Sequence, residues 1–112
     1  MSAGRFPAHV EVSAMIRAAE AAGGFASVIA RGERDAGTIL ILTIERGTNA
    51  RLWERMPSLD GARKYAVVRS QDTENKNEFD EYLTRRNQRD PDCWIVELDV
   101  ADAERFIAQF AG

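Results

Sequence analysis

The chain has one cysteine, one histidine and only two lysines among 112 residues. The lone Cys93 excludes an internal disulfide, and a reducing cytoplasm is the simplest compartment for it. His9 and Cys93 together are too few ligands for a zinc site, and none is expected. No apolar run reaches the roughly 18 residues of a membrane-spanning helix. The opening MSAGRFPAHVEV lacks the apolar core of a signal peptide, so none is expected. Excess positive charge is missing as well. The net charge is −3 and the pI about 5.2, which disfavours generic nucleic-acid binding. A phosphate loop ending in Lys-Ser/Thr is also lacking. The thirteen arginines suit bidentate anion recognition, but they are scattered along the chain.

What is present is a strongly apolar short segment, TILILTI at Thr38 to Ile44. Both of its alternating sets are apolar: Ile39 and Ile41 on one, Leu40, Leu42 and Ile44 on the other. It is too short and too β-branched for a helix. A strand apolar on both faces sits inside a sheet covered on each side, so this segment is the expected central strand. The length is enough for one domain.

Residues 1–8 show no periodicity and are expected to be loose. From His9 on, Val12, Met15, Ile16, Ala19 and Ala22 form one helical stripe, stopped by Gly23 and Gly24. Phe25 to Arg31 reads as a first strand. The loop GERDAG at Gly32 to Gly37 then predicts a hairpin into the central strand. Gly47-Thr48-Asn49 predicts the next hairpin. Ala50 to Met56 alternates as a third strand, and Lys64 to Ser70 as a fourth. Gln71 to Asn77 is a polar loop leading into a helix with Phe79, Tyr82, Leu83 and Arg86 on its inner stripe. Pro91 ends that helix. Cys93 to Leu98 is a fifth strand, with Trp94, Val96 and Leu98 on one face. Asp99 is the expected cap of a last helix, with Asp102 as its weak partner, and Val100, Ala103, Phe106, Ile107 and Phe110 as its buried stripe.

The fold class expected is therefore α+β. A mainly antiparallel five-stranded sheet carries two to three packed helices, in the order α-β-β-β-β-α-β-α, as a single domain over residues 9–112. The first four strands are expected to form a meander.

Three stretches resemble a known family. They are EAAGGFASVIARG at Glu20 to Gly32, GERDAGTI at Gly32 to Ile39, and RDPDCWIVELD at Arg89 to Asp99 with the amphipathic segment that follows to Phe106. Together they cover roughly half the chain and resemble an uncharacterised bacterial family, domain of unknown function 1491, associated mainly with alphaproteobacteria. Thr48 to Asn77 departs from its pattern. The resemblance supports the fold and implies no activity.

Several residue groups bear on function. Glu33, Arg34 and Asp35 crowd a glycine-flanked loop; Arg34 and backbone N–H groups there suit an anion, whereas a solvated turn with special glycine angles explains the same residues. Asp90 and Asp92 around Pro91 could hold a cation or share a proton, or simply end a helix and aim Trp94 into the core. Glu97, on the Cys93 and Ile95 face, is the better candidate for a perturbed carboxylate, unless it meets an arginine of a neighbouring strand. Cys93 is expected to be a small buried hydrophobe rather than half of a couple with His9. Arg51, Trp53 and Arg55 share a strand face, with Arg69 expected beside them. That face is either an adhesive or stacking surface, or a covered core with arginines around the rim.

No catalytic set, metal site or cofactor site emerges. The function most consistent with this is a small cytoplasmic protein-interaction or regulatory module without catalysis of its own. It would bind a protein partner or self-associate as a homodimer through a strand edge or the Trp53 face. The alternative is a small-molecule domain, or an enzyme, that holds an anionic ligand with arginines such as Arg31, Arg51 or Arg69. RNA binding through RRNQR at Arg85 to Arg89 is the weakest idea, given the acid pI.

Overall fold

The computed structural model describes residues 6–57, 59, 63–72 and 74–110. Helix α1 (Ala8–Ala21) leads to strand β1 (Phe25–Ala30) and then β2 (Ile39–Glu45), β3 (Thr48–Pro57) and β4 (Arg63–Ser70). Helix α2 (Lys76–Arg89), strand β5 (Trp94–Asp99) and helix α3 (Ala103–Ala108) complete the order. The looseness expected of residues 1–8 falls partly outside the described residues; Ala8 itself opens α1 and is buried.

The five strands form one sheet in the order β1-β5-β2-β3-β4. Three pairings are antiparallel, and β2 pairs with β5 in parallel, so the sheet is mixed. The expected hairpin between β1 and β2 does not form. β5 lies between them, antiparallel to β1 from Phe25↔Asp99 and parallel to β2 from Ile39↔Trp94. The meander covers only β2, β3 and β4. The reason lies in the loop of residues 32–37, which straddles the start of β5. Glu33 N donates to Asp92 O at 2.8 Å and Trp94 N to Thr38 O at 2.7 Å. Gly32 and Gly37 both press against the Asp92 carbonyl, and a Cβ at either would overlap it. These glycines serve close approach rather than unusual backbone angles, which corrects the reading from sequence.

β2 is the middle strand and is covered on both sides, as its two apolar sets require. On one side Ile39 and Ile41 join Trp53, Trp94, Val96 and Leu98 beneath Val12, Met15 and Ala19 of α1 and Phe106 and Ile107 of α3. On the other, Leu40 and Leu42 join Leu52, Cys93 and Ile95 beneath Phe79 of α2. The small residues of α1 let it lie close to the sheet; Ala19 is fully buried.

Two turns differ from expectation. The β2–β3 turn is carried by Arg46 and Gly47, both at positive φ (53° and 78°), as a tight two-residue hairpin turn demands. Asp99 does not cap α3. It ends β5, and its Oδ1 accepts from Arg46 N at 3.0 Å, stitching that turn to the neighbouring strand. The cap is Asp102, whose carboxylate accepts from Arg105 N.

Candidate functional site

β3 alternates sides, and its charged residues reach every helix. On the α1/α3 side, Arg51 pairs with Glu104 of α3 at 3.5 Å and with Glu45 at 3.4 Å. Its guanidinium also lies 5.2 Å from the Trp53 ring centroid. Arg55 pairs with Glu11 of α1 at 3.0 Å and stacks over Tyr65 of β4 at 5.1 Å. On the α2 side, Glu54 accepts from Arg86 at 3.0 Å. Arg86 also donates to the Tyr82 hydroxyl, and the Glu54 carboxylate, as the main cause, raises the Arg86 pKa above its ordinary value. One strand thus clasps three helices.

Trp53 belongs to the core. It is 6% exposed, and its indole Nε1 donates to the Thr43 hydroxyl at 2.8 Å. That bond explains why a threonine sits buried among the Ile and Leu residues of β2. The adhesive-face reading of Trp53 is thereby corrected: the ring is covered, and Arg51 and Arg55 fringe it. Arg69 is not beside them. A register shift between Leu52 and Trp53 sets Arg69 opposite Leu52, on the α2 side. There it stacks on Tyr82 at 3.9 Å and pairs with Glu78 at 3.7 Å. Arg31 lies over Trp94, 5.8 Å from its ring centroid.

The GERDAG loop fills its own anion-binding concavity. The Glu33 carboxylate accepts from Asp35 N at 2.9 Å and from Ala36 N. The loop carbonyls then cap α1: Ala8 N donates to Asp35 O and His9 N to Arg34 O, each at 2.9 Å. Pro7 at the N-cap has no side chain for that task. Arg34 itself is exposed and reaches only Asp35, at 3.9 Å, among the described residues.

Asp90, Pro91 and Asp92 make the turn out of α2. Asp90 Oδ1 accepts from Asp92 N at 3.2 Å, and Asp90 O from Cys93 N at 3.0 Å. Trp94 is buried, and its Nε1 donates to Glu33 O at 2.7 Å. No group of three or more potential metal-ligating side chains occurs among the described residues. Glu97 is half-buried and has no ion pair among the described residues, so no arginine of a neighbouring strand meets it there.

Cys93 packs on the α2 side, whereas His9 is on α1, so the sheet separates them. Burial pushes the Cys93 thiol up to about 11 and the Tyr65 phenol up to about 12. Both groups ionise first in the unfolded chain, so their contribution is intact below the ordinary values and fades as pH rises through the folded ones. A thermal-melt series should fall between about pH 9 and 12, and Cys93→Ala should flatten the lower part of that fall.

A cleft of about 540 Å³ opens between the start of α1, the β1–β2 loop, β3 and β4. Arg55, Glu11, Asp35, Ile39 and Tyr65 are among its lining residues. Tyr65 is 9% exposed, and its hydroxyl has no hydrogen-bond partner among the described residues.

The architecture and site define a small α+β domain whose arginines are spent on holding helices to a mixed sheet. Residues 6–108 match the family described as Protein of unknown function (DUF1491), and the chain belongs to that family. A crystal structure of a DUF1491 family protein from Caulobacter crescentus is 34% identical, with a TM-score of 0.75, covering 89% of this chain and 92% of that one. An NMR structure of a DUF1491 family protein from the same organism is 32% identical, with a TM-score of 0.74, over 92% and 93% of the two chains. A solution structure of a protein from A. tumefaciens is 26% identical, with a TM-score of 0.74 over 93% of each chain. Among curated proteins none matches the chain.

Proposed function

We propose that this protein is a bacterial, cytoplasmic interaction module without catalysis of its own, and that it self-associates through the outer edge of β1. The observation that carries this is the character of that strand. β1 stands at the end of the sheet, and its residues FASVIA include no charge and no proline. Phe25 is 76% exposed and Ile29 52%, an apolar edge without the charges that usually guard one. A bulge between Val28 and Ala30 interrupts the ladder with β5 and leaves Ile29 out of register. The opposite edge, β4, carries Arg63, Lys64 and Arg69, which discourage pairing. Of the two surfaces suggested by sequence, the Trp53 face is covered, and the strand edge remains.

A cytoplasmic setting is supported by the free, buried Cys93. No helix among the described residues is long and apolar enough to cross a membrane. The origins of the structural relatives support a bacterial source. The alternative of an arginine-held anion is disfavoured because Arg51 and Arg69 are each paired with a carboxylate and Arg31 lies over the Trp94 ring.

Light scattering coupled to size exclusion tests the proposal. The wild-type chain should run as a dimer, and Ile29→Lys should run as a monomer with an unchanged melt. A monomeric wild type, or a dimer indifferent to Ile29→Lys, would refute it.

A further inference from the structure

We infer that the open half of the α2-side sheet face, over β1 and the end of β5, docks a basic amphipathic helix of a partner protein. This goes beyond the β1 edge. An edge offers backbone groups to another strand, whereas this face offers side chains to a second layer, and it stands whether or not two copies pair.

The two faces of the sheet are unequally covered. Among the described residues α1 and α3 lie on one face and α2 alone on the other. Five strands about 4.8 Å apart make a sheet roughly 20–24 Å wide, and one helix covers about 10 Å of that. α2 is anchored toward the β3–β4 half, by Arg86 on Glu54 and by Arg69 over the Tyr82 ring. The strand register shows what is left. One row across the face runs Ser27–Glu97–Leu42, and the next Phe25–Asp99–Ile44. In the first row Ser27 is exposed, Glu97 half-buried and Leu42 buried. In the second, Phe25 is 76% exposed while Asp99 and Ile44 are half-buried. Cover thus runs out toward β1, over a strip about two strands wide, which is the width of one helix.

Charge selects the occupant. Glu97 sits in the middle of the strip, and neither it nor Asp99 pairs with a cation among the described residues. The Asp99 carboxylate accepts from the backbone N–H of Arg46, not from its guanidinium. Lys76 and Asp80 lie on the same side of α2 as Leu83 and offset each other. A half-buried carboxylate beside apolar groups is costly until a cation meets it. A second copy laid face to face would set carboxylate against carboxylate, and an anionic lipid surface would be repelled. A helix with large apolar residues for Phe25 and Ile44, and Lys or Arg for Glu97 and Asp99, matches both rows.

The test uses two synthetic helical peptides of about 14 residues, long enough for a strip of about 20 Å. One is built of leucine and lysine, and the other has glutamate in place of lysine. Fluorescence anisotropy gives the affinity, and NMR of the full chain gives the footprint. The basic peptide should bind saturably and shift the amides of residues 25–27, 42–44 and 96–99. The acidic peptide should bind about tenfold more weakly or worse. Glu97→Gln should weaken the basic peptide about fivefold or more, and Glu97→Lys should reverse the preference between the two. Phe25→Ser should weaken the basic peptide as well. Glu20→Gln removes the same charge from an exposed position on α1 and should bind like wild type. The inference is overturned if the basic peptide fails to bind, if both peptides bind alike, or if the footprint lies elsewhere. Equal weakening by Glu20→Gln and Glu97→Gln would reduce the effect to net charge and overturn it too. So would a second copy on the strip, seen as concentration-dependent shifts of the same amides without peptide, or binding of phosphatidylglycerol vesicles in place of the peptide. A chain that scatters light as a monomer yet binds the basic peptide refutes the edge reading and leaves this one standing.

Discussion

A chain cut after Asp99 should show no cooperative melt and should bind hydrophobic dyes. The cut removes Val100, Ala103, Phe106 and Ile107, all buried on the α1 side of the sheet, together with the edge-on Phe106–Phe110 contact at 5.4 Å. Burying a Val, Ile or Phe side chain contributes about 1.5–3 kcal/mol each. Domains of this size are stable by only about 5–15 kcal/mol in total. The deletion therefore takes away an amount comparable to the whole. It also uncovers Trp53 and Leu98 and strips Arg51 of Glu104. Far-UV and near-UV circular dichroism would separate a collapsed product with residual helix from a folded one. A sharp two-state transition in the truncated chain would mean that α3 is an ornament of the core rather than a wall of it.

Trp53→Ala should lower stability by about 3–5 kcal/mol, the usual cost of emptying a large aromatic site. The ring is packed among Ile41, Tyr65 and the helices above, and its N–H serves Thr43. Removing it leaves the Thr43 hydroxyl buried without that donor and frees the guanidinium of Arg51 from its stacking surface. Urea unfolding would give the difference as a shift in midpoint at constant slope. Trp53→Phe keeps most of the ring and loses the hydrogen bond, so it should cost about 1 kcal/mol beyond its packing change. A shift below about 1 kcal/mol for Trp53→Ala would return the residue to the surface.

The sequence showed which residues alternate and how the elements are ordered, and it stopped at questions of neighbourhood. β2 was legible as the central strand because both of its alternating sets are apolar, and only a strand covered twice can afford that. β5 is almost as apolar, yet periodicity carries no information about which strand lies beside which. The connection over residues 31–38 is long enough either to close a hairpin or to step across an intervening strand, and here it steps. Gly32 and Gly37 could be recognised as special, but the reason, the carbonyl of Asp92, comes from far along the chain. The same holds for the arginines. Their partners Glu11, Glu78 and Glu104 lie on other elements, and nothing local in the sequence marks them. Trp53 stayed ambiguous because alternation defines two faces without saying which one a helix will cover. Asp99 and Asp102 both had the chemistry of a cap, and only the path of the backbone at Asp102, with φ of 49°, decided between them.

The place of β5 also shapes how this protein comes into being. Its two partners, β1 and β2, leave the ribosome before it, and β5 emerges only after β3, β4 and α2. Until then β1 has no strand to pair with and β2 lacks one flank. Contacts between such distant segments form slowly, and unpaired strands invite wrong company in the meantime. The sheet is therefore completed only once β5 has emerged, and the nascent chain relies on the crowd around it not to pair first.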